Sequence, residues 1–209
     1  MARKRVQLMS ESSSPRRVVV GLSGASGAIY GIRLIEVLAA MEGVETHLVM
    51  SKGAEATISY ETNRKPGDIA ALANVVHDER NLAAAIASGT FLTSSMVVAP
   101  CSIRTLSAIA NSANDNLLVR AADVHLKERR SLVLVVRETP LHLGHLRLMT
   151  DVTMAGAVIL PPVPGFYTLP TTIDDLIDHT VGKILDIIGL TEHSLFTRWN
   201  GPSATVIPE

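Results

Sequence analysis

With 209 residues and a formal net charge of -1, the chain is sized for one domain with a substantial core, and its near-neutrality argues against a nucleic-acid partner. Hydrophobic residues make up 47% and aromatic residues only 3%, so the core must be built from Leu, Ile, Val and Ala, as in α/β proteins. The single cysteine, Cys101, excludes an intrachain disulfide and points to a reducing compartment, read here as the cytoplasm, and no apolar run approaches the ~20 residues of a membrane span.

Residues 1–15 are basic and then Ser-rich, with an apolar patch too short for a secretory signal; they read as a disordered arm. Arg17 to Leu22 is the first expected strand. It breaks into Gly21-Leu-Ser-Gly-Ala-Ser-Gly27, and a helix is expected from Ser26 to Met41 with Ile29, Leu34, Val37 and Leu38 on its buried face. A strand, a Gly/Ser turn and a helix in that order suit a phosphate: the glycines allow close backbone approach, and the helix start offers free N–H groups. Ser23 and Ser26 add hydroxyls, Ser26 as the helix N-cap. The spacing G-x-x-G-x-x-G lacks both the tight start of the dinucleotide fingerprint and the Gly-Lys-Ser/Thr ending of a P-loop, so the guest stays unspecified at this point.

Glu45 to Met50 is the second strand, Ala54 to Tyr60 a helix, and Glu61 to Asp68 a break. A short helix near Ile69–Ala73 and a short strand at Val75-Val76 follow. Ser95 to Pro100 is a buried strand that leads through Cys101 to Thr105 into a helix ending near Ala110. Asp115 to Arg130 is a charged helix on which Arg120 and Lys127, seven residues apart, share a face. Leu132 to Val136 has the continuous apolar character of a parallel strand, with Arg137 and Glu138 at its carboxyl end. His142 to Ala155 is a helix, Ala157 to Leu160 a strand, 161–167 a rigid Pro-rich loop ending in Tyr167, and Ile173 to Ile188 a helix started by Thr171/Thr172 and stopped by Gly189. Residues 191–209 form a tail.

Strands alternate with helices without a repeat or a linker, which argues a single doubly wound, parallel α/β sandwich. Ligands of such sheets sit beyond the carboxyl ends of the strands, where the polar clusters fall. Arg137 beside Glu138 reads either as a surface ion pair or as an anion site with a proton-moving carboxylate. Cys101, after a buried strand, reads as inert. His142 and His145 are three apart, but no further Cys or His completes a metal set.

Eight stretches taken together resemble the flavin prenyltransferases of the UbiX type. They are Gly21-Leu-Ser-Gly-Ala-Ser-Gly-Ala, Ser51-Lys52, Tyr60-Glu61-Thr62, the run from Pro100 to Ala110, Asp115 to Val124, Leu126 to Arg130, Arg137 to Leu141, and Pro164-Gly-Phe-Tyr167. The resemblance covers about Arg16 to Leu190 and implies a three-layer sandwich of Rossmann/flavodoxin-like kind, with 16–190 as the flavoprotein domain. It implies a homo-oligomer, typically a dodecamer, with FMN bound where subunits meet. It implies metal-independent transfer of a dimethylallyl group from dimethylallyl monophosphate to N5 and then C6 of reduced FMN, giving the cofactor of a UbiD-like decarboxylase. By position, Gly24, Ala25, Ser26, Ser51, Ser102, Ile103, Arg104, Thr105 and Arg137 match the FMN site. Arg120, Lys127, Tyr167 and Lys183 match the prenyl-phosphate site; Ser26, Glu61 and Glu138 match the reacting centre. Lys183 stands where many members carry arginine, keeping the charge but not the bidentate fork. The alternatives are an FMN-dependent cysteine decarboxylase of the same fold, which would want a histidine near the flavin and has only His77 to offer in the middle segment, and a non-catalytic FMN-binding subunit of a decarboxylase.

Overall fold

A computed structural model describes residues 14–199 and Gly201. Its strands are β1 (Arg16–Leu22), β2 (Val44–Met50), β3 (Val75–His77), β4 (Ser95–Cys101), β5 (Ser131–Val136) and β6 (Val158–Ile159). Its helices are α1 (Ala28–Ala39), α2 (Lys52–Glu61), α3 (Pro66–Ala70), α4 (Ile103–Ala110), α5 (Leu117–Lys127), α6 (Leu143–Ala155) and α7 (Ile173–Ile187). All strand pairs are parallel, in the order β3-β2-β1-β4-β5-β6. Period-two alternation divides the core into two. Val18, Val20 and Leu22 of β1 pack under α1, α2 and α7, while Val19 packs with α4, α5 and α6 on the other face. The chain is therefore a three-layer, doubly wound sandwich. Strand order reverses between β1 and β4, which opens a crevice at their carboxyl ends.

Helix α1 buries Leu34 and Leu38 as expected and packs Val37, partly buried, against the core, but Ile29 departs from the expected face. Ile29 is 38% exposed, and the buried residues are Ala28, Gly31, Ile32, Leu34, Ile35 and Leu38. The reason is Gly31. Its missing side chain lets α1 lie directly on β4, where an added Cβ would stand 2.0 Å from the Ala99 carbonyl oxygen. Gly31→Ala is expected to destabilise the protein. Alanine brings about 1 kcal/mol of helix propensity, but overpacking against a fixed backbone costs about 3 kcal/mol. A net loss of about 2 kcal/mol lowers the melting temperature by roughly 4–8 °C, readable by circular dichroism; an unchanged melting temperature would show that the two elements slide apart freely.

The break after α2 is shorter than expected. Glu61 still belongs to α2, and Pro66 opens α3 as its first residue, a position where the missing N–H costs nothing. Helix α7 starts with Thr172 and Asp175 in a capping box and stops before Gly189, whose φ is +75°. The Arg16 guanidinium donates to the carbonyls of Ile188 and Gly189, so the first strand is tied to the end of the last helix. Beyond α7, Phe196 covers Gly182, and Arg198 forms a two-pronged ion pair with Asp186 at 2.7 and 2.9 Å. Residues 1–13 of the expected arm, and residues 200 and 202–209 of the expected tail, lie outside the described residues.

His125 of α5 is fully buried against the edge of the second core. Its Nδ1 is 2.7 Å from the Ala121 carbonyl and so carries the hydrogen; its Nε2 accepts from the Thr93 hydroxyl at 2.9 Å. Among the described residues no helix is long and apolar enough to cross a membrane.

Candidate functional site

Strands β1 and β4 are locked together at the crevice by one hydroxyl. Ser23 Oγ donates to the Pro100 carbonyl and accepts from the Ser102 N–H, both at 2.8 Å. Ser23 is 2% exposed, so the hydroxyl expected to face a ligand is instead spent inside the fold. Gly24 follows, and a Cβ there would lie 2.9 Å from Gly53 Cα. The turn after β1 and the first turn of α2 thus meet backbone to backbone, which only a pair of glycines permits.

Beyond this lock lies a cleft of about 540 Å³. Three helices begin at its walls. Ser51 caps α2 by accepting from Ala54 N–H, Ser102 caps α4 by accepting from Thr105 N–H, and Asn116 caps α5 by accepting from Val119 N–H. Lys52, Arg80 and Arg104 bring positive charge, and Glu79 and Asp115 bring acceptors. Helix starts and cations favour an anion, while the hydroxyls and carboxylates suit a polyol chain. The residues therefore fit a phosphorylated, hydroxyl-rich ligand such as FMN.

Gly24, Ser51, Ser102, Arg104 and Thr105 line this cleft as one group. Ala25 is half-buried in the turn between them, and the Ile103 side chain packs against the second core. Lys52, Gly53 and Asn116 are wall residues that sequence reasoning left out; each sits at or beside a helix start, and their cap chemistry was the available signal.

A second cluster joins Ser26, Glu61 and Arg137. The residue at the start of α1 is Gly27, with φ +93°, and no side chain of that segment caps the helix, Ser26 included. Glu61 caps it from α2: its Oε2 accepts from Gly27 N–H at 2.8 Å and Ala28 N–H at 3.2 Å, 34 and 33 residues away in sequence. Partial burial works against the Glu61 charge. The Ser26 hydroxyl, the two amides and the Arg137 guanidinium outweigh it and hold the carboxyl below its ordinary range. Arg137 is anchored by its own N–H, which donates to the Cys101 carbonyl at 3.1 Å. Glu138 beside it is exposed and accepts from Thr139 N–H. Burial pushes the Cys101 thiol up to about 12, which keeps it inert.

The four residues matched to the prenyl phosphate do not line the cleft of this chain. Arg120 and Lys127 share a face of α5 against the 87–89 segment: Arg120 donates to the Ala87 carbonyl and pairs with Asp123, while Lys127 lies against Gly89 and pairs with Glu128. Tyr167 stands at α7, bonded through its hydroxyl to His179, one turn before the exposed Lys183. His77 is engaged elsewhere, hydrogen-bonded to His47 in the edge of the sheet. The His142 and His145 rings lie 3.6 Å apart, and among the described residues no group of three or more His, Cys, Asp or Glu could hold a metal ion.

A parallel sheet in this order, with helix starts converging on an anion-suited cleft at its reversal point, defines a nucleotide- or flavin-binding protein of the doubly wound class. The comparisons narrow this. The pattern of the family described as Flavoprotein matches residues 7–187. The flavin prenyltransferase UbiX of Thauera aromatica is 60% identical over 185 residues, which is 88% of this chain and 94% of that one. The crystal structure of AnUbiX (PadA1) in complex with FMN and dimethylallyl pyrophosphate superposes with a TM-score of 0.86 at 54% identity, over 90% of this chain and 98% of that one. The dodecameric FMN-dependent UbiX-like decarboxylase from Escherichia coli O157:H7 gives 0.86 at 48% identity, over 88% and 100%. The chain belongs to the flavoprotein family and, within it, to the flavin prenyltransferases of the UbiX type. Peptidyl-cysteine decarboxylase EpiD, at 14% identity and a TM-score of 0.61, shares the fold alone.

Proposed function

We propose that the chain transfers a dimethylallyl group from dimethylallyl monophosphate to N5 and C6 of reduced FMN. One observation carries the reading. Five of the FMN-matched residues, Gly24, Ser51, Ser102, Arg104 and Thr105, line a single cleft, and two more, Ser26 and Arg137, gather around Glu61, in a chain 54% identical to a protein crystallised with FMN and a dimethylallyl phosphate ester. FMN, when bound and reduced, supplies the electron-rich atoms that accept the prenyl group. Gly24, Ser51, Ser102, Arg104 and Thr105 would hold it, with Ala25, Ser26 and Ile103 in the adjoining turns and Arg137 at its side.

The protein's part is to bind, to orient and to hold protons. Arg120, Lys127, Tyr167 and Lys183 are the donors for the departing phosphate, whose growing charge they stabilise. In this chain they fall outside the cleft, so we assign them to a site completed by a neighbouring copy. That reading makes the protein a homo-oligomer, a dodecamer as in the Escherichia coli O157:H7 protein, and the exposed Phe166, Leu169 and Ile173 support it. Glu138 accepts the proton lost on ring closure, with Ser26 as relay. Glu61 fixes the turn that carries Ser26. The product is consumed by a UbiD-like decarboxylase, and the lone reduced Cys101 supports a cytoplasmic setting. His77 is tied to His47, which disfavours the cysteine-decarboxylase alternative.

The test is anaerobic incubation with reduced FMN and dimethylallyl monophosphate, followed by the mass of the flavin. A gain of one C5H8 unit is expected. Unchanged flavin on a protein that binds FMN tightly would favour a carrier subunit instead.

A further inference from the structure

Tyr167 and His179 form a pair that the family resemblance does not include. The loop 161–172 folds back onto α7, and Tyr167 Oη meets His179 Nε2 at 3.0 Å. The pairing is built. The two rings pack edge to face, with centroids 5.7 Å apart and planes at 82°, and the Phe196 ring also packs against His179, with centroids 5.0 Å apart. Gly165 leaves the room: a Cβ there would stand 3.2 Å from both His179 Cε1 and Tyr167 Cε1. Tyr167 itself remains 54% exposed, so its hydroxyl has a free side toward solvent or a neighbouring chain.

A phenol has one hydrogen. If His179 Nε2 is bare, that hydrogen goes to the imidazole and Oη offers only lone pairs outward. If Nε2 carries a hydrogen, it donates to Oη and the phenolic hydrogen is free for an anionic oxygen. Neutral imidazole allows both arrangements, and imidazolium allows only the second. We infer that His179 is a positioning residue for the prenyl phosphate: through its Nε2–H it turns the Tyr167 hydroxyl into an outward donor, and its protonation strengthens phosphate binding. This rests on the prenyl-phosphate reading of Tyr167 given above.

The charged groups around His179 are engaged with other partners or lie a turn away. On its own helix, Lys183 is one turn on, Asp175 is held by Thr171 and Thr172, and Asp178 is paired with Arg33 of α1, which also contacts Glu36. From the tail, His193 and Arg198 are both bound to Asp186. The loop 161–170 contains no ionisable group other than Tyr167.

The experiment is calorimetric titration of dimethylallyl monophosphate into the FMN-loaded, oxidised assembly, where no turnover occurs, between about pH 8 and pH 6. His179→Phe keeps the ring packing but removes the donor. It is expected to raise the Kd on the order of tenfold, the worth of one hydrogen bond to an anion, while FMN content and oligomer mass stay unchanged. His179→Gln supplies an amide N–H that does not titrate. It is expected to restore binding at pH 8 to within about threefold of wild type. The ratio of Gln-variant to wild-type Kd should then rise several-fold as pH falls; the substrate phosphate's own ionisation near pH 6 is common to both proteins and cancels. In a Tyr167→Phe background the His179→Phe change should add nothing. Wild-type Kd in His179→Phe, or a flat ratio between the Gln variant and wild type, would overturn the inference. If His179→Phe fails to assemble, the pH ratio of the Gln variant decides alone. Failure of the wild type to bind the prenyl phosphate at all, with FMN in place, would sink the parent reading and this one together.

Discussion

Glu138→Gln is expected to bind FMN like the wild type and to lose at least about a hundredfold in the rate of prenylated product formation, the usual contribution of a positioned general base. Two observations separate these outcomes. The side chain is exposed at the end of β5 and lies outside the cleft walls, so an isosteric amide disturbs neither the fold nor the FMN cradle. Its neighbour Arg137 joins Glu61 and Ser26, so the carboxylate sits one residue from the cluster proposed to face the reaction. Loss of FMN from the variant would recast Glu138 as a binding residue. Full activity would move the proton to another acceptor, of which the departing phosphate is the nearest in chemistry.

The second large effect concerns acid. Burial lowers the His125 pKa to about 4, with the Arg130 charge acting in the same direction and the Ala121 and Ser95 backbone groups opposing it. The unfolded chain binds a proton there near pH 6.5, and the folded chain does not until about pH 4. The stabilisation is therefore complete above pH 6.5 and is lost as pH falls toward 4. Over that window the difference amounts to about 3 kcal/mol. Thermal unfolding at pH 7 and at pH 4.5 should show a marked fall in the wild type. His125→Asn should start from a lower melting temperature at pH 7 and show a shallower fall. Parallel slopes in the two proteins would place the acid sensitivity elsewhere.

The strands were legible because parallel central strands are written as unbroken β-branched runs. Ser95–Cys101 and Ser131–Val136 differ from the expected limits by a single residue. The Thr172 cap and the Gly189 stop were legible because they are local. What failed depended on distant partners. Ser26 was expected to cap α1, but the cap is Glu61, which the fold brings back from the end of α2. Ser23 was expected to face a ligand, but its partners are Pro100 on β4 and Ser102 at the start of α4. Ile29 was placed on the buried face because its spacing fits; contact of Gly31 with Ala99 rotated that face. His179 carried no signal at all, since its partner arrives only when the loop closes onto α7.

The Ser23 lock has a consequence for selectivity among ligands. It joins the turn after β1 to the start of α4, while Glu61 holds the other end of the same turn. The amides around the cleft are thus aimed before anything enters it. A guest need not organise its own site, so little of its interaction energy is consumed in freezing loops. Small differences in shape and charge between one phosphorylated molecule and another then appear nearly undiminished as differences in occupancy.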